Sequence, residues 1–228
     1  MLRGISIFMG VERLGGMEYT KPCMDTLAKL FGGQARIKIM RLFLLNQDQV
    51  FRIEDIISRS RVMRAGTRRE LNALMGMGFV KQKLITEEGV RGAKKKIPVW
   101  FLNMNFSYVN QIKDLLVDPN LLLQEDLKDR FKPIGKIKLL LVSGVFIGDD
   151  KSRVDIMIVG DKLKRNVIQQ VVKALEAEIG KELDYVVFDT DEFIYRLDMY
   201  DKLVSDILDF DHQRLIDTPE LSTRASNK

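Results

Sequence analysis

The chain has 228 residues, 46% of them apolar and 30% charged, with 37 Lys+Arg against 32 Asp+Glu. That length suits one or two domains with their own cores, and the apolar content argues against wholesale disorder. A single cysteine, Cys23, excludes an internal disulfide framework and a cysteine-rich zinc site, and a single histidine, His212, excludes a zinc centre built on several imidazoles. No apolar run approaches the roughly 18 residues of a membrane span, so the expectation is a cytoplasmic protein with no membrane partner, no metal and no cofactor.

Residues 1–23 carry scattered glycines and no helical or strand period, and are expected to be a flexible leader or a mis-assigned start. A clean pattern begins at Met24. From there to Met104 the chain holds 16 basic and 7 acidic residues, whereas residues 105–228 hold 18 basic and 23 acidic. A basic half joined to an acidic half suggests that only the first meets a polyanion.

The periodicity of the basic half predicts helices over 25–31 and 35–45, a short extended piece at 50–52, and helices over 53–58 and 63–77. Two strands follow, at 80–86 and 98–102, joined by a Gly- and Lys-rich connection. With the first two segments broken at Gly32-Gly33, the order helix, helix, helix, hairpin is that of a winged helix-turn-helix. At about 100° per residue, Thr67, Leu71, Leu74 and Met75 share the core-facing side of the last helix, and Ala65, Arg68, Arg69 and Asn72 lie opposite or beside it. Arg and Asn pair bidentately with guanine and adenine edges in the major groove. Arg64, Arg68, Arg69 and Asn72 are therefore the expected base or phosphate contacts. Arg91, Lys94, Lys95 and Lys96 on the wing are the expected phosphate contacts. A solvated amphipathic helix and a solvated lysine loop are the plainer alternatives for each segment taken alone.

The acidic half predicts helices at 108–117 and 121–131, strands at 137–142, 154–159 and 183–188, a helix at 163–179, and helical structure over 191–208. The expected fold class is α+β. It comprises a leader (1–23), a winged helix-turn-helix (24–104), a helical linker (105–134), a small mixed α/β domain (135–217) and a disordered tail (218–228).

Ser143-Gly144, Gly148, the strand Val154 to Gly160, and Leu183-Asp184-Tyr185-Val186-Val187 together resemble a minimal nucleotidyltransferase domain. The basic half resembles the winged helix of predicted transcriptional regulators that carry such a domain C-terminally, and the likeness spans about Met24 to Leu215. The family pattern has Gly-Ser, then Asp-x-Asp on the second strand and a third Asp on a later strand. Active members use the paired carboxylates to hold the metal ions that bridge nucleotide phosphates. Here the first Asp is Arg153, and the Gly-Ser order is reversed. Asp155 and Asp184 keep the second and third positions. The resemblance therefore implies a degenerate, catalytically inactive domain. Its expected role is assembly, as a homodimer, with ligand sensing as the second option. A nucleotide or other anion would then sit on Ser143, Gly144, Lys151 and Arg153, beside Asp155 and Asp184.

The sequence thus leads to a DNA-binding transcriptional regulator whose partner is double-stranded DNA. The competing readings are an active nucleotidyltransferase of toxin–antitoxin type, modifying RNA or a protein, and an RNA-binding module. His212, in a polar run, is given no catalytic role.

Overall fold

A computed structural model of the chain describes residues 23–88, 94–118, 126–149, 151–219 and 221. The expected leader up to residue 22, Arg91 and the start of the helix expected at 121–131 lie outside the described residues.

The first unit opens with α1 (Cys23–Phe31) and α2 (Gln34–Leu45), then α3 (Ile53–Ser60) and α4 (Arg64–Gly76). Strands β1 (Val80–Glu88) and β2 (Lys94–Leu102) follow as an antiparallel hairpin. Phe51 pairs with Trp100 through two backbone hydrogen bonds of 2.8 Å, so the extended piece before α3 is stitched to β2. Both strands run further than expected toward the tip. There Glu88 faces Lys94 and Glu87 faces Lys95 across the ladder, and opposite charges in register support cross-strand pairing.

Helix α2 is the axis of this unit. Ile37, Ile39, Met40, Leu42, Phe43 and Leu44 are all buried, a width of apolar surface that needs partners on several sides. It packs against α1, α3, α4 and α5 (Val109–Leu116) within its own unit, and against α7 (Arg165–Ile179) of the second. Val109 and Leu116 are buried in the same core as α2. Helix α5 is therefore part of the first unit, which corrects the expected linker: its apolar residues need a partner, and α2 supplies it.

The second unit is a four-stranded sheet between two helical layers. After α6 (Asp126–Phe131) and a 3₁₀ turn at Lys132–Ile134 come β3 (Lys136–Val142), β4 (Ile156–Asp161), α7 and β5 (Tyr185–Asp189). Helices α8 (Thr190–Asp198) and α9 (Lys202–Asp209) and strand β6 (Gln213–Asp217) complete it. The strand order is β5-β4-β3-β6, with β4 and β5 parallel and the other pairs antiparallel. Leu140, Val142, Ile156 and Ile158 face α7, and Leu139, Leu141, Met157 and Val159 face α8 and α9. Burial on both faces accounts for the unbroken apolar runs of β3 and β4.

Two features differ from the expectation at the C-terminal end. Strand β6 pairs with β3 within a run that reads as polar. Leu221 is fully buried against the α8–α9 side, and its N–H donates to the Thr218 carbonyl at 2.9 Å. Burying the Leu221 side chain stabilises its docking by about 1.5–3 kcal/mol; the rest of the expected tail, 220 and 222–228, lies outside the described residues. Among the described residues, no helix is long and apolar enough to cross a membrane.

The two units meet where α2 crosses the end of α7. Gly180 closes α7 with φ +90°, and a Cβ built there would stand 2.5 Å from the Leu42 backbone nitrogen. Asn46 Nδ2 donates both to Leu42 O (2.7 Å) and to Gly180 O (2.8 Å). Arg41, 1% exposed, donates from Nε to Leu116 O at 2.7 Å and from Nη1 to Glu178 O at 3.0 Å. Burial lowers its pKa to about 10, against a smaller opposing effect of Glu178, so the guanidinium stays cationic at neutral pH. Gly180→Ala combines a backbone clash with an unfavourable φ and is expected to lower stability by about 2–3 kcal/mol, read from urea denaturation.

Candidate nucleic-acid interface

Helix α4 divides its residues cleanly. Thr67, Glu70, Leu71 and Leu74 are buried, while Arg64, Ala65, Arg68, Arg69 and Asn72 are exposed. Glu70 was not among the residues expected on the core side. Its carboxylate is held from α2 by Arg36 (Nε to Oε2, 2.7 Å) and from its own helix by Arg69 (Nε to Oε1, 3.1 Å). Burial works to raise the Glu70 pKa, and the hydrogen bonds from Arg36 and Arg69 outweigh it, leaving the carboxyl below its usual value. A charged pair thus fastens α4 to α2, where the apolar pattern alone would have allowed it to slide or roll.

On the outer face, Arg68 and Asn72 make no ion pair or side-chain hydrogen bond among the described residues. Arg69 gives one nitrogen to Glu70, yet 77% of its side chain remains exposed. Arg64 at the start of the helix pairs with Glu54 (2.9 Å). A backbone hydrogen bond first, and Arg64 next, hold the Glu54 carboxyl below its usual value.

Lys94, Lys95 and Lys96 are all exposed at the far end of the hairpin. The first turn of α3 connects this end to α4. Arg52, whose N–H donates to Asp55 Oδ2 at 3.0 Å, reaches the Glu87 carboxylate on β1, and Glu54 two residues later reaches Arg64. Lys95 faces Glu87 across the ladder. The outer part of the hairpin and the N-terminus of α4 therefore lie within side-chain reach of one helical turn. Sequence reading missed Arg52 as the connector. Its one local signal is the Asp three residues later, which caps α3 in the manner of a capping box.

The second candidate site lies at one end of the four-stranded sheet. Ser143 follows β3, Asp155 precedes β4 and Asp184 precedes β5, and the antiparallel and parallel registers bring the three together. Ser143 is buried and its hydroxyl donates to Val154 O. Asp155 is 5% exposed, and backbone N–H groups occupy both its oxygens: Val145 N on Oδ1 at 2.9 Å and Asp184 N on Oδ2 at 3.0 Å. Gly144 takes φ +57°, and a Cβ there would stand 2.2 Å from Asp155 Oδ1. The glycine is needed so that the loop can close over the carboxylate. Asp184 is exposed and engages Asp155 through its backbone.

Arg153 is paired with Asp206 of α9 at 2.8 Å. Lys151 is exposed, its N–H donating to Asp149 Oδ1 at 2.9 Å. Among the described residues, no group of three His, Cys, Asp or Glu side chains could hold a metal ion. The arrangement is a carboxylate-centred loop clasp.

Two substitutions test the anchoring. Glu70→Gln is expected to cost about 1–3 kcal/mol of stability at pH 7, because it removes the charge from two charge-assisted hydrogen bonds made by a buried acceptor. The native carboxyl titrates below its unfolded value near 4.5. Its contribution is therefore complete above that pH and disappears as pH falls through the folded value, so the variant should lose stability less steeply in acid. Urea titrations at several pH values measure both effects. Asp155→Asn turns one acceptor into a donor facing a backbone N–H; a loss of about 1–3 kcal/mol in the same titrations is the expected result.

Compared with protein-family models and with curated proteins, the chain returns no match.

Proposed function

We propose that the protein is a cytoplasmic, DNA-binding transcriptional regulator in which the first unit acts as a winged helix-turn-helix. Helix α4 enters the major groove, and the β1–β2 hairpin follows the phosphate backbone as the wing. The observation that carries this reading is the outer face of α4: Arg68 and Asn72 stand exposed with no intramolecular partner among the described residues, on a helix fixed from behind by the buried Glu70–Arg36 pair. Their chemistry fits guanine and adenine edges. Lys94, Lys95 and Lys96 suit phosphates, whose contacts set register while base contacts set specificity. Shared contacts with the first turn of α3 support one continuous footprint.

The second unit serves assembly in this proposal, as a homodimer that would match a two-fold operator. Backbone donors on both oxygens of Asp155 and the Arg153–Asp206 pair favour a packing role over metal-dependent catalysis.

Random-library selection with the purified chain would supply the duplex for a test. Arg68→Ala should then weaken binding by about 1–3 kcal/mol and relax preference at one base position. Lys94→Ala with Lys95→Ala should weaken all sequences alike and reduce the slope of log K against log salt by about one for each phosphate left without its lysine. Unchanged affinity in both variants, or tighter binding to structured RNA than to duplex DNA at equal salt, would overturn the proposal.

A further inference from the structure

A cleft of about 390 Å³ opens between the two units, apart from the outer face of α4 and from the Asp155 clasp. Arg59 and Arg61, at the end of α3 and the turn that follows, form one side. Lys173, Glu176, Lys181 and Glu182, on α7 and the turn after it, form the other. Lys173, Glu176 and Gly180 recur at i, i+3 and i+7, so they share the face that α7 turns toward the first unit.

One carboxylate is neutralised by an ion pair, and the other accepts a backbone N–H and keeps its charge. Glu176 Oε1 accepts the Leu183 N–H at 3.1 Å, and Glu182 pairs with Arg59 at 2.9 Å. Arg59 is further steadied by the Phe51 ring, 5.4 Å from its guanidinium. Arg61, Lys173 and Lys181 make no ion pair among the described residues. Four cations and two carboxylates from two units thus line a space within the size range of ligand pockets, about 300–1,000 Å³, which leaves the cleft with an excess of two positive charges.

The geometry points to a binding site for a compact polyanion bearing two or three linked phosphate groups, held between the helix-turn-helix and α7. Among the described residues, Leu42 is the one apolar side chain in the lining, and no aromatic ring is present to stack a base. The site recognises phosphate groups and leaves any attached nucleoside uncontacted. The ligand would bridge the two units, with Arg61 on one and Lys173 on the other closing on its charges. The inference does not depend on the DNA-binding reading.

Calorimetric titration of the full chain with inorganic pyrophosphate at low salt tests it. One pyrophosphate per chain is expected. Arg61→Ala with Lys173→Ala should raise Kd at least tenfold, and Lys181→Gln alone severalfold, with unaltered circular dichroism. Lys94→Ala with Lys95→Ala should leave Kd within twofold. ATP should bind no more tightly than inorganic triphosphate. Failure of pyrophosphate to saturate the native chain would overturn the assignment, as would an unchanged Kd in the cleft variants or an equal loss in the hairpin variant. ATP binding tenfold tighter than triphosphate would overturn the phosphate-only recognition. If the cleft variant loses affinity for duplex DNA while pyrophosphate never binds, the cations belong to a path for the DNA backbone and the small-ligand site is rejected.

Discussion

A buried arginine holds the molecule's two halves in one arrangement. Arg41 lies among the buried apolar side chains of α2 and reaches the C-terminal carbonyls of α5 and α7 at once. Those carbonyls have no partner within their own helices and carry the negative end of each helix dipole. A cation there removes two polar deficits and joins three helices that belong to different units. Gly180 makes the contact close enough to work, since its missing side chain lets the end of α7 rest on the backbone of α2. The cleft lies beside that seat, with Leu42 and Gly180 in its lining.

Charge elsewhere is sorted by depth. The buried Glu70 is matched by two arginines, and the buried Asp155 by two backbone N–H groups. This is the condition under which a desolvated carboxylate can be tolerated. At the surface the matching is incomplete: the outer face of α4, the lysines of the hairpin and the cleft between the units each keep cations without a partner among the described residues. Such groups cost little in water and stay open to an external anion. The compensated carboxylates therefore fix the framework, and the uncompensated cations mark where the proposed polyanions would attach.

Most of the element order was legible from the chain because it is written locally. The 3.6 periods of α2, α4 and α7 and the apolar runs of β3 and β4 need no knowledge of distant residues. The features that stayed hidden depend on partners far away in sequence. Arg41 sits inside an apolar helix, yet its acceptors are 75 and 137 positions away. Glu70 is polar and would be placed on the outside of α4 until Arg36 is brought beside it. Strand β6 is short and interrupted by charge, and becomes a strand only because β3 offers a free edge. Leu221 has no period to announce it and is buried by the groove that α8 and α9 create. The exposed candidates Arg68, Asn72 and Lys94–Lys96 were legible for the opposite reason, since local period and composition are enough to place them at the surface. Asp155 was located by its place in a motif, but its occupation by Val145 and Asp184 was not, because backbone donors leave no mark on composition.

The ion pairs bordering α4 bear on how the proposed complex could form. Arg64–Glu54 and Arg52–Glu87 are partly exposed pairs, a class worth about 0–1 kcal/mol each. Exchanging Glu54 for a phosphate would therefore cost Arg64 little, while the charge-assisted bond it gains is of the stronger kind. Glu54 and Glu87 also place negative charge at the border of the same surface, where each would repel a phosphate set out of register. Together the pairs hold the long arginine side chains close to their working positions before any ligand arrives, which reduces the ordering entropy that binding must overcome. Glu70 differs in kind: its carboxylate is buried, 3% exposed, and an external anion cannot take its place on Arg36 without leaving that carboxylate unpaired. The interface thus combines a permanent pair that sets the helix with temporary pairs that can open, and the depth of each carboxylate decides which it is.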